Sequence, residues 1–236
     1  MPRPHPIDEM EFPPFEGFPR EGLAFLRGLK RHNERKWFQA RKEIYEDTLR
    51  LPMQCLIASL ARRMAETAPE VDFNPRKSIF RIYRDTRFSK NKAPYKTNIG
   101  AVFQVRGRKG PTEAPCFYVG VEPGEVYVGG GLYLPTGPQL KAIRSSIAND
   151  PGAWLGIIGT PSFKRKYGAI EGERLSRAPL GYPPDHPMIE HLKLKQFFAG
   201  RSYGEEICYK ASFLKTTEEV FRDLLPLVRW IVKAGA

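Results

Sequence analysis

The sequence contains little cysteine, and its three cysteines lie far apart. Cys55, Cys116 and Cys208 form neither an even-numbered framework nor a Cys-x-x-Cys pair. These spacings exclude a disulfide-stabilised fold and a cysteine-rich metal or redox site as the basis of the structure. We expect all three side chains to be reduced and to act as small hydrophobic residues.

Long apolar runs are also missing. No stretch approaches the roughly 20 apolar residues needed to span a bilayer, and the first six residues, with Pro2, Pro4 and Pro6, lack the apolar core of a signal peptide. Hydrophobic residues make up 41% of the chain and include 15 Phe, 10 Tyr and 3 Trp, which is enough for a folded core. These properties predict a soluble, cytoplasmic protein without a membrane partner.

Several kinds of chemistry lack their sequence signature. The chain has no Gly-x-Ser-x-Gly elbow and no Cys/His pattern for covalent hydrolysis. His186 and His191 are five residues apart, whereas two ligands on one helical face would be four apart. The glycines from Gly129 to Gly131 lack the spacing of a nucleotide-binding loop and predict a bulge or a close backbone approach. We expect no metal and no cofactor.

Acidic residues are scarce relative to basic ones. The chain has 38 Lys and Arg against 26 Asp and Glu, a formal net charge of +12 and a pI near 9.7. Much of this excess falls in residues 76–96, where eight cationic side chains accompany one acid, Asp85. Cations at this density repel one another and destabilise the fold unless anions, internal acids or solvent compensate them. The segment therefore predicts an anionic partner: nucleic acid, another polyanion or a phosphorylated ligand.

The first third of the chain is predicted to be helical. Residues 1–19 contain six prolines, too many for a helix interior, and should form an arm that wraps the core. Leucines at a three-residue step predict a helix over 21–31, and Asn33 is placed to cap a second helix that reaches about residue 50. Pro52 either bends that helix or lies in the first turn of a third. The expected anchors of the arm are three aromatic side chains: Phe12, Phe15 and Phe18.

The middle of the chain changes to a strand-like pattern, which predicts a mainly antiparallel sheet. Pro123-Gly124 suits a type II turn between two of its strands. The β-prone runs are residues 78–84, 101–105, 115–121 and 126–128.

The last part of the chain is predicted to be mostly helical. Thr136 can cap a helix that ends near residue 149, residues 206–214 predict a late strand, and a capping box at 216–219 predicts the start of the final helix. Composition shows no linker. We therefore expect one α+β domain over residues 20–236, with N-terminal helices packed on the sheet and a C-terminal helix.

The arginines of the basic segment fall on both faces of the strand predicted over 78–84. One hypothesis is that they present forked donors to a phosphate or carboxylate, with Asp85 orienting one of them. The other is an internal salt-bridge network in which Asp85 pairs with an arginine and acids elsewhere, such as Glu43 or Glu46, compensate the rest. The predicted alternation puts Arg81, Tyr83, Asp85 and Arg87 on one face and Arg84 on the other.

The end of the basic segment is predicted to be a loop in which Pro94 fixes the backbone. Its lysines can follow a phosphate backbone, and Tyr95 can stack on a base or hydrogen-bond an oxygen. Phe88 is expected to anchor the loop to the core. The alternative is an ordinary solvated loop. The lysines concerned are Lys90, Lys92 and Lys96.

Three candidate residues lie outside the basic segment. Tyr133 and Arg144 are expected to reach the same cleft as the basic segment. His186, like Asp85, is a candidate for moving a proton. Since Pro187 follows His186 directly, a role at the start of a helix is the alternative.

Several strings of the sequence are long enough to be characteristic of a family. They run from Phe25 to Leu29, Trp37 to Phe38, Ile79 to Lys90, Lys92 to Thr97, Gly130 to Pro135, Pro179 to Tyr182 and Asp185 to Pro187. Together they resemble a bacterial and fungal family of conserved hypothetical proteins, domain of unknown function 2461. The resemblance spans roughly residues 18 to 230 and implies a single soluble domain, but it supplies no reaction, substrate or cofactor. The chain departs from the family pattern at Asn91, where the family has Asp, and at Leu180, where it has Lys or Arg.

Three functions remain open at this point. A module that binds nucleic acid or another polyanion would use the arginines and lysines for phosphates, with Tyr83 and Tyr95 for stacking. An enzyme acting on a small phosphorylated or carboxylated substrate would need a closed pocket beside Asp85, and Asp85 or His186 would move the proton. An interaction domain would present the basic stretch to an acidic protein. We favour the first.

Overall fold

The fold is of the α+β class, as predicted from the sequence. The computed structural model describes residues 12–87, 89–107 and 114–235. The predictions made for Phe88 and for residues 1–11 of the arm lie outside these residues. No helix in the described part of the chain is long and apolar enough to cross a membrane.

The chain forms two compact units, each described here by itself. The first comprises residues 1–103, 118–127 and 202–218 and contains the basic segment. The second comprises residues 104–117, 128–201 and 219–236. The prediction of one domain over 20–236 is not tested by this division and stays a prediction.

The helices of the first unit follow the apolar pattern of the sequence, with one correction. The predicted second helix is broken: two short helices and a π-helical segment, Glu46–Arg50, lead into a longer helix that has Pro52 in its first turn. Asn33 does not cap it, because its side chain binds the backbone of another segment. The bounds are α1 Arg20–Arg31, α2 Arg35–Gln39, α3 Lys42–Tyr45 and α4 Leu51–Met64.

Four antiparallel strands form a sheet in the order β1-β2-β3-β4. The turn between β2 and β3 contains Pro123 and Gly124, and Gly124 has a φ of 94°, as a type II turn requires. Gly131 of β3 has a φ of 135°, and a Cβ there would lie 2.1 Å from the carbonyl oxygen of Phe197. The predicted close backbone approach is confirmed. The strands are β1 Ile99–Gln104, β2 Cys116–Glu122, β3 Glu125–Leu132 and β4 Phe197–Tyr203.

The C-terminal predictions are confirmed at one helix and wrong at two elements. Thr136 and Gln139 form a capping box at the start of α5. The late strand predicted over 206–214 is wrong. The last strand of the sheet is β4, and the Ala-Gly pair at its centre weakens the β-strand pattern in the sequence. The final helix starts at Phe213, before the predicted capping box, because Phe213 itself is buried. The helices are α5 Gly137–Asn149, α6 Pro151–Ile158, α7 Pro161–Tyr167, α8 Ile189–Leu192 and α9 Phe213–Lys233.

The described part of the N-terminal arm is anchored as predicted. Phe12, Phe15 and Phe18 are all buried, and the backbone N–H of Phe18 donates to the carbonyl of Cys208 at 2.8 Å. Gly17, with a φ of 114°, lets the arm pass close to the backbone of residue 209. The three cysteines are free and buried, which confirms their predicted role as small hydrophobic residues.

A carboxylate in the first unit joins three segments that are distant in sequence. Glu205 accepts hydrogen bonds from the backbone N–H of Gly124 at 2.6 Å, from the hydroxyl of Tyr209 at 3.0 Å and from the guanidinium of Arg27 in α1. Its side chain is 17% exposed. Burial by itself would raise the pKa of Glu205, but the three donors outweigh it and hold the pKa below its ordinary value.

Replacing Glu205 by Gln should therefore destabilise the first unit. The amide keeps the volume but loses the charge that strengthens three hydrogen bonds, and we expect a loss of about 1–3 kcal/mol in the free energy of unfolding at neutral pH. The pKa of Glu205 is lowered in the folded state, so its stabilisation is present above the ordinary value of 4.5 and is lost as the pH falls through the folded pKa. The free energies of unfolding of wild type and E205Q, measured with urea, should therefore become equal in acid.

The neighbouring Glu206 provides a matched control. Glu206 pairs with Arg20 at 2.8 Å, but both side chains are about two-thirds exposed, so E206Q should change the free energy of unfolding by less than about 1 kcal/mol. Equal losses in E205Q and E206Q would contradict the special role of Glu205.

Candidate anion-binding surface

The basic segment forms most of a two-stranded antiparallel ribbon in the first unit. Residues 78–84 pair with residues 94–102, and we call this pair, with the loop 85–93 between them, the basic ribbon. Backbone bridges join Ile79 to Ala101 and Tyr83 to Tyr95. Four residues on one side therefore span six on the other, and the two extra residues form a bulge at 97–98. The strand predicted over 78–84 is wrong: these residues contain bends at Ser78 and Ile82 and pair through two isolated bridges, one of them to Ala101 of β1.

The ribbon is tied to the helices by Asn33. The Asn33 Nδ2 donates to the carbonyl of Tyr95 at 3.0 Å, and the backbone N–H of Tyr95 donates to Asn33 Oδ1 at 3.0 Å. The Tyr95 ring stacks on Phe38 of α2 with its centroid 4.3 Å away and is 1% exposed. A buried ring cannot stack on a base, so Tyr95 has an anchoring role in this structure.

Tyr83 differs from Tyr95 in its exposure. Its ring lies 5.3 Å from the Tyr95 ring and 6.3 Å from that of Phe38, yet Tyr83 remains 51% exposed. Tyr83 is thus the one of the two predicted stacking tyrosines that presents an aromatic surface to solvent.

The one acid of the segment, Asp85, pairs with its neighbour Arg87. The Arg87 Nε and Nη2 donate to the two carboxylate oxygens at 3.0 and 2.7 Å, and the Arg87 backbone N–H donates at 3.2 Å. These bonds, the guanidinium contacts first, lower the pKa of Asp85 to about 2. A carboxylate with that pKa is a weak base at neutral pH. The geometry therefore favours the orienting role predicted for Asp85 over proton transfer.

The wider salt-bridge network considered for the segment has little basis in the described residues. Glu46, one of its two candidate acids, pairs with Arg50 at 2.8 Å. Lys92 donates to the carbonyl of Thr86 at 3.0 Å, which closes the loop on itself. Within residues 12–87, 89–107 and 114–235, no carboxylate lies within 4.0 Å of four cations of the ribbon: Arg81, Arg84, Lys90 and Lys96.

Lys96 is a partly buried member of this set of cations. Its ammonium lies 4.9 Å from the centroid of the Phe80 ring, in cation–π geometry. Partial burial, and after it the charge of Arg81, lowers the pKa of Lys96 below its ordinary value. An anion at this position would offset both effects.

Lys96 also lines an open pocket of about 260 Å³. Tyr118 of β2 forms part of its wall, and glycines make room for that ring: a Cβ on Gly100 or Gly120 would lie within 3 Å of the Tyr118 hydroxyl. One signal in the sequence could have identified this site: Gly120 lies within a β-prone run and Gly100 directly before another, and glycines at such positions predict a close approach of another group. The lining residues are Phe80, Lys96, Asn98, Gly100 and Tyr118.

The remaining candidates belong to the second unit. Arg144 donates from Nε to the carbonyl of Leu192 at 2.7 Å and from Nη2 to that of Leu194 at 3.3 Å, and burial lowers its pKa. Tyr133 is 52% exposed and packs edge-on against Phe198. That Tyr133 and Arg144 reach the cleft of the basic segment stays a prediction.

The hydrogen bond of His186 fits the alternative role, at the start of a helix. Its Nδ1 accepts a hydrogen bond from the backbone N–H of Met188 at 3.0 Å, just before α8. The Tyr182 ring lies edge-on to the imidazole at 5.8 Å. This geometry favours a role at the start of the helix over general acid–base chemistry.

Comparison with known proteins assigns the chain to a family. Among the described residues, no group of three or more His, Cys, Asp or Glu side chains is placed to hold a metal ion. No curated protein matches the sequence. The family model described as "Conserved hypothetical protein (DUF2461)" matches residues 21–230, which include the whole basic ribbon and the pocket. The chain belongs to this family of conserved hypothetical proteins.

Proposed function

We propose that the protein binds nucleic acid or another polyanion through the basic ribbon. One observation supports this function above the others: Arg81, Arg84, Lys90 and Lys96 have no carboxylate partner among the described residues. Phosphates spaced along a polyanion would compensate these charges and relieve their mutual repulsion.

The shape of the ribbon suits an extended ligand. Arg81 and Lys90 are exposed, and Arg84 and Lys96 are partly exposed, so all four can meet a partner without unfolding. Arg87 is held by Asp85 with its guanidinium already oriented at the surface. The proposal includes a cytoplasmic location, because nucleic acids are abundant there. Three free, buried cysteines are consistent with that reducing compartment.

Binding should weaken steeply with salt. If four cations each neutralise one phosphate of a single strand, the slope of log affinity against log salt is about −3, and affinity falls about 50-fold between roughly 50 and 200 mM NaCl. Fluorescence anisotropy with a labelled oligonucleotide and with labelled heparin measures both quantities. Affinity that does not change with salt would refute polyanion binding.

Neutralising the ribbon should remove most of this binding. The triple variant R81Q/R84Q/K90Q should bind the oligonucleotide at least about tenfold more weakly at roughly 100 mM NaCl, with a salt slope smaller by about 2. The control variant K141Q/K164Q/R165Q loses the same charge at exposed positions of α5 and α7. Equal effects of the two variants would show that only net charge matters and would contradict a specific site.

A further inference from the structure

The pocket beside Lys96 combines groups that a bare phosphate does not need. The rings of Phe80 and Tyr118 both line the pocket, and with their centroids 6.3 Å apart and a tilt of 47° they contact each other and form one aromatic wall. A phosphate-binding surface gains nothing from an aromatic wall, whereas a flat, unsaturated ring gains stacking energy from it.

Asn98 adds a polar group that can recognise the edge of such a ring. It lies in the bulge of the basic ribbon and lines the pocket. Within the described residues its side-chain amide has no hydrogen-bond partner. An amide offers a donor and an acceptor side by side, which is the pattern that the edges of nucleobases present.

The size of the pocket limits what can enter it. Its volume of about 260 Å³ lies below the roughly 300–1,000 Å³ of pockets that enclose a drug-sized ligand. One ring system fits, and a sugar and a phosphate attached to it would remain outside, where the cations are. The Tyr118 ring lies across Gly100 and Gly120 and bounds the pocket on that side.

The charges next to the pocket are placed for that outer phosphate. The Lys96 ammonium stands at the pocket wall over Phe80, and Arg81 lies between the two bridges of the ribbon, opposite the bulge that carries Asn98. A ring stacked on the aromatic wall of Phe80 and Tyr118 would bring its attached phosphate toward both cations.

We propose that this pocket seats one unpaired base of a single-stranded nucleic acid, with Lys96 and Arg81 on the adjoining phosphate. The inference presupposes the polyanion binding proposed above and narrows its ligand. Bases of a duplex are paired and stacked and cannot enter a side pocket without being flipped out, so the pocket distinguishes single strands from duplexes and from heparin.

Replacing Phe80 by Leu tests the pocket without removing charge. Leu keeps an apolar side chain at this half-buried position but loses the aromatic face. Loss of one stacking contact should weaken binding of a labelled single-stranded oligonucleotide about tenfold. Binding of heparin, of a duplex and of an oligonucleotide built from abasic residues should weaken much less, because every charge is kept and only the contact of the Lys96 ammonium with the Phe80 ring is lost. N98A should give a smaller loss with the same pattern.

Y182L is the matched control, since it replaces a half-exposed ring of the second unit, and it should leave all four affinities unchanged. The outcomes separate the two proposals. If F80L and N98A bind all ligands like wild type, base recognition is refuted while polyanion binding stands. If wild type binds none of the four ligands, both are refuted. Thermal unfolding of each variant confirms that losses do not come from the fold.

Discussion

The two hydrogen bonds between the Asn33 side chain and the backbone of Tyr95 are the contact on which the basic ribbon depends. The amide acts like a short piece of β-strand and satisfies both polar groups of a residue whose ring is buried on Phe38. With Tyr95 fixed, its neighbour Lys96 is fixed as well, and the opposite strand follows through the bridge to Tyr83. A mutually repelling set of cations is thereby held on a rigid backbone.

This arrangement separates the groups that anchor the ribbon from the groups that carry its charge. The groups that anchor the ribbon are neutral and buried, while the charged groups extend into solvent or over an aromatic ring. Asp85, the one acid of the segment, forms an ion pair with Arg87. Because anchoring does not use the cations, their charge remains available to a partner.

Features that depend on neighbouring residues could be predicted from the sequence, whereas features that depend on contacts between distant residues could not. The charge density of residues 76–96 and the pairing of Asp85 with an arginine are local and could be read directly. The difference between Tyr83 and Tyr95 could not, because it is decided by Asn33 and Phe38 more than 50 residues earlier. The pocket could not be predicted from the sequence either, since Tyr118 contributes to it from β2 and Asn98 from a bulge.

The bulge in the ribbon has an evolutionary consequence. Side chains alternate between the two faces of a strand, so an excess of two residues returns the chain to the same phase, whereas an excess of one would reverse it. Tyr95 and Lys96 precede the two extra residues and therefore stay in phase with β1, which follows them. Relatives should therefore vary in ribbon length by even steps, and an odd insertion would turn the lysine into the core and the tyrosine into water.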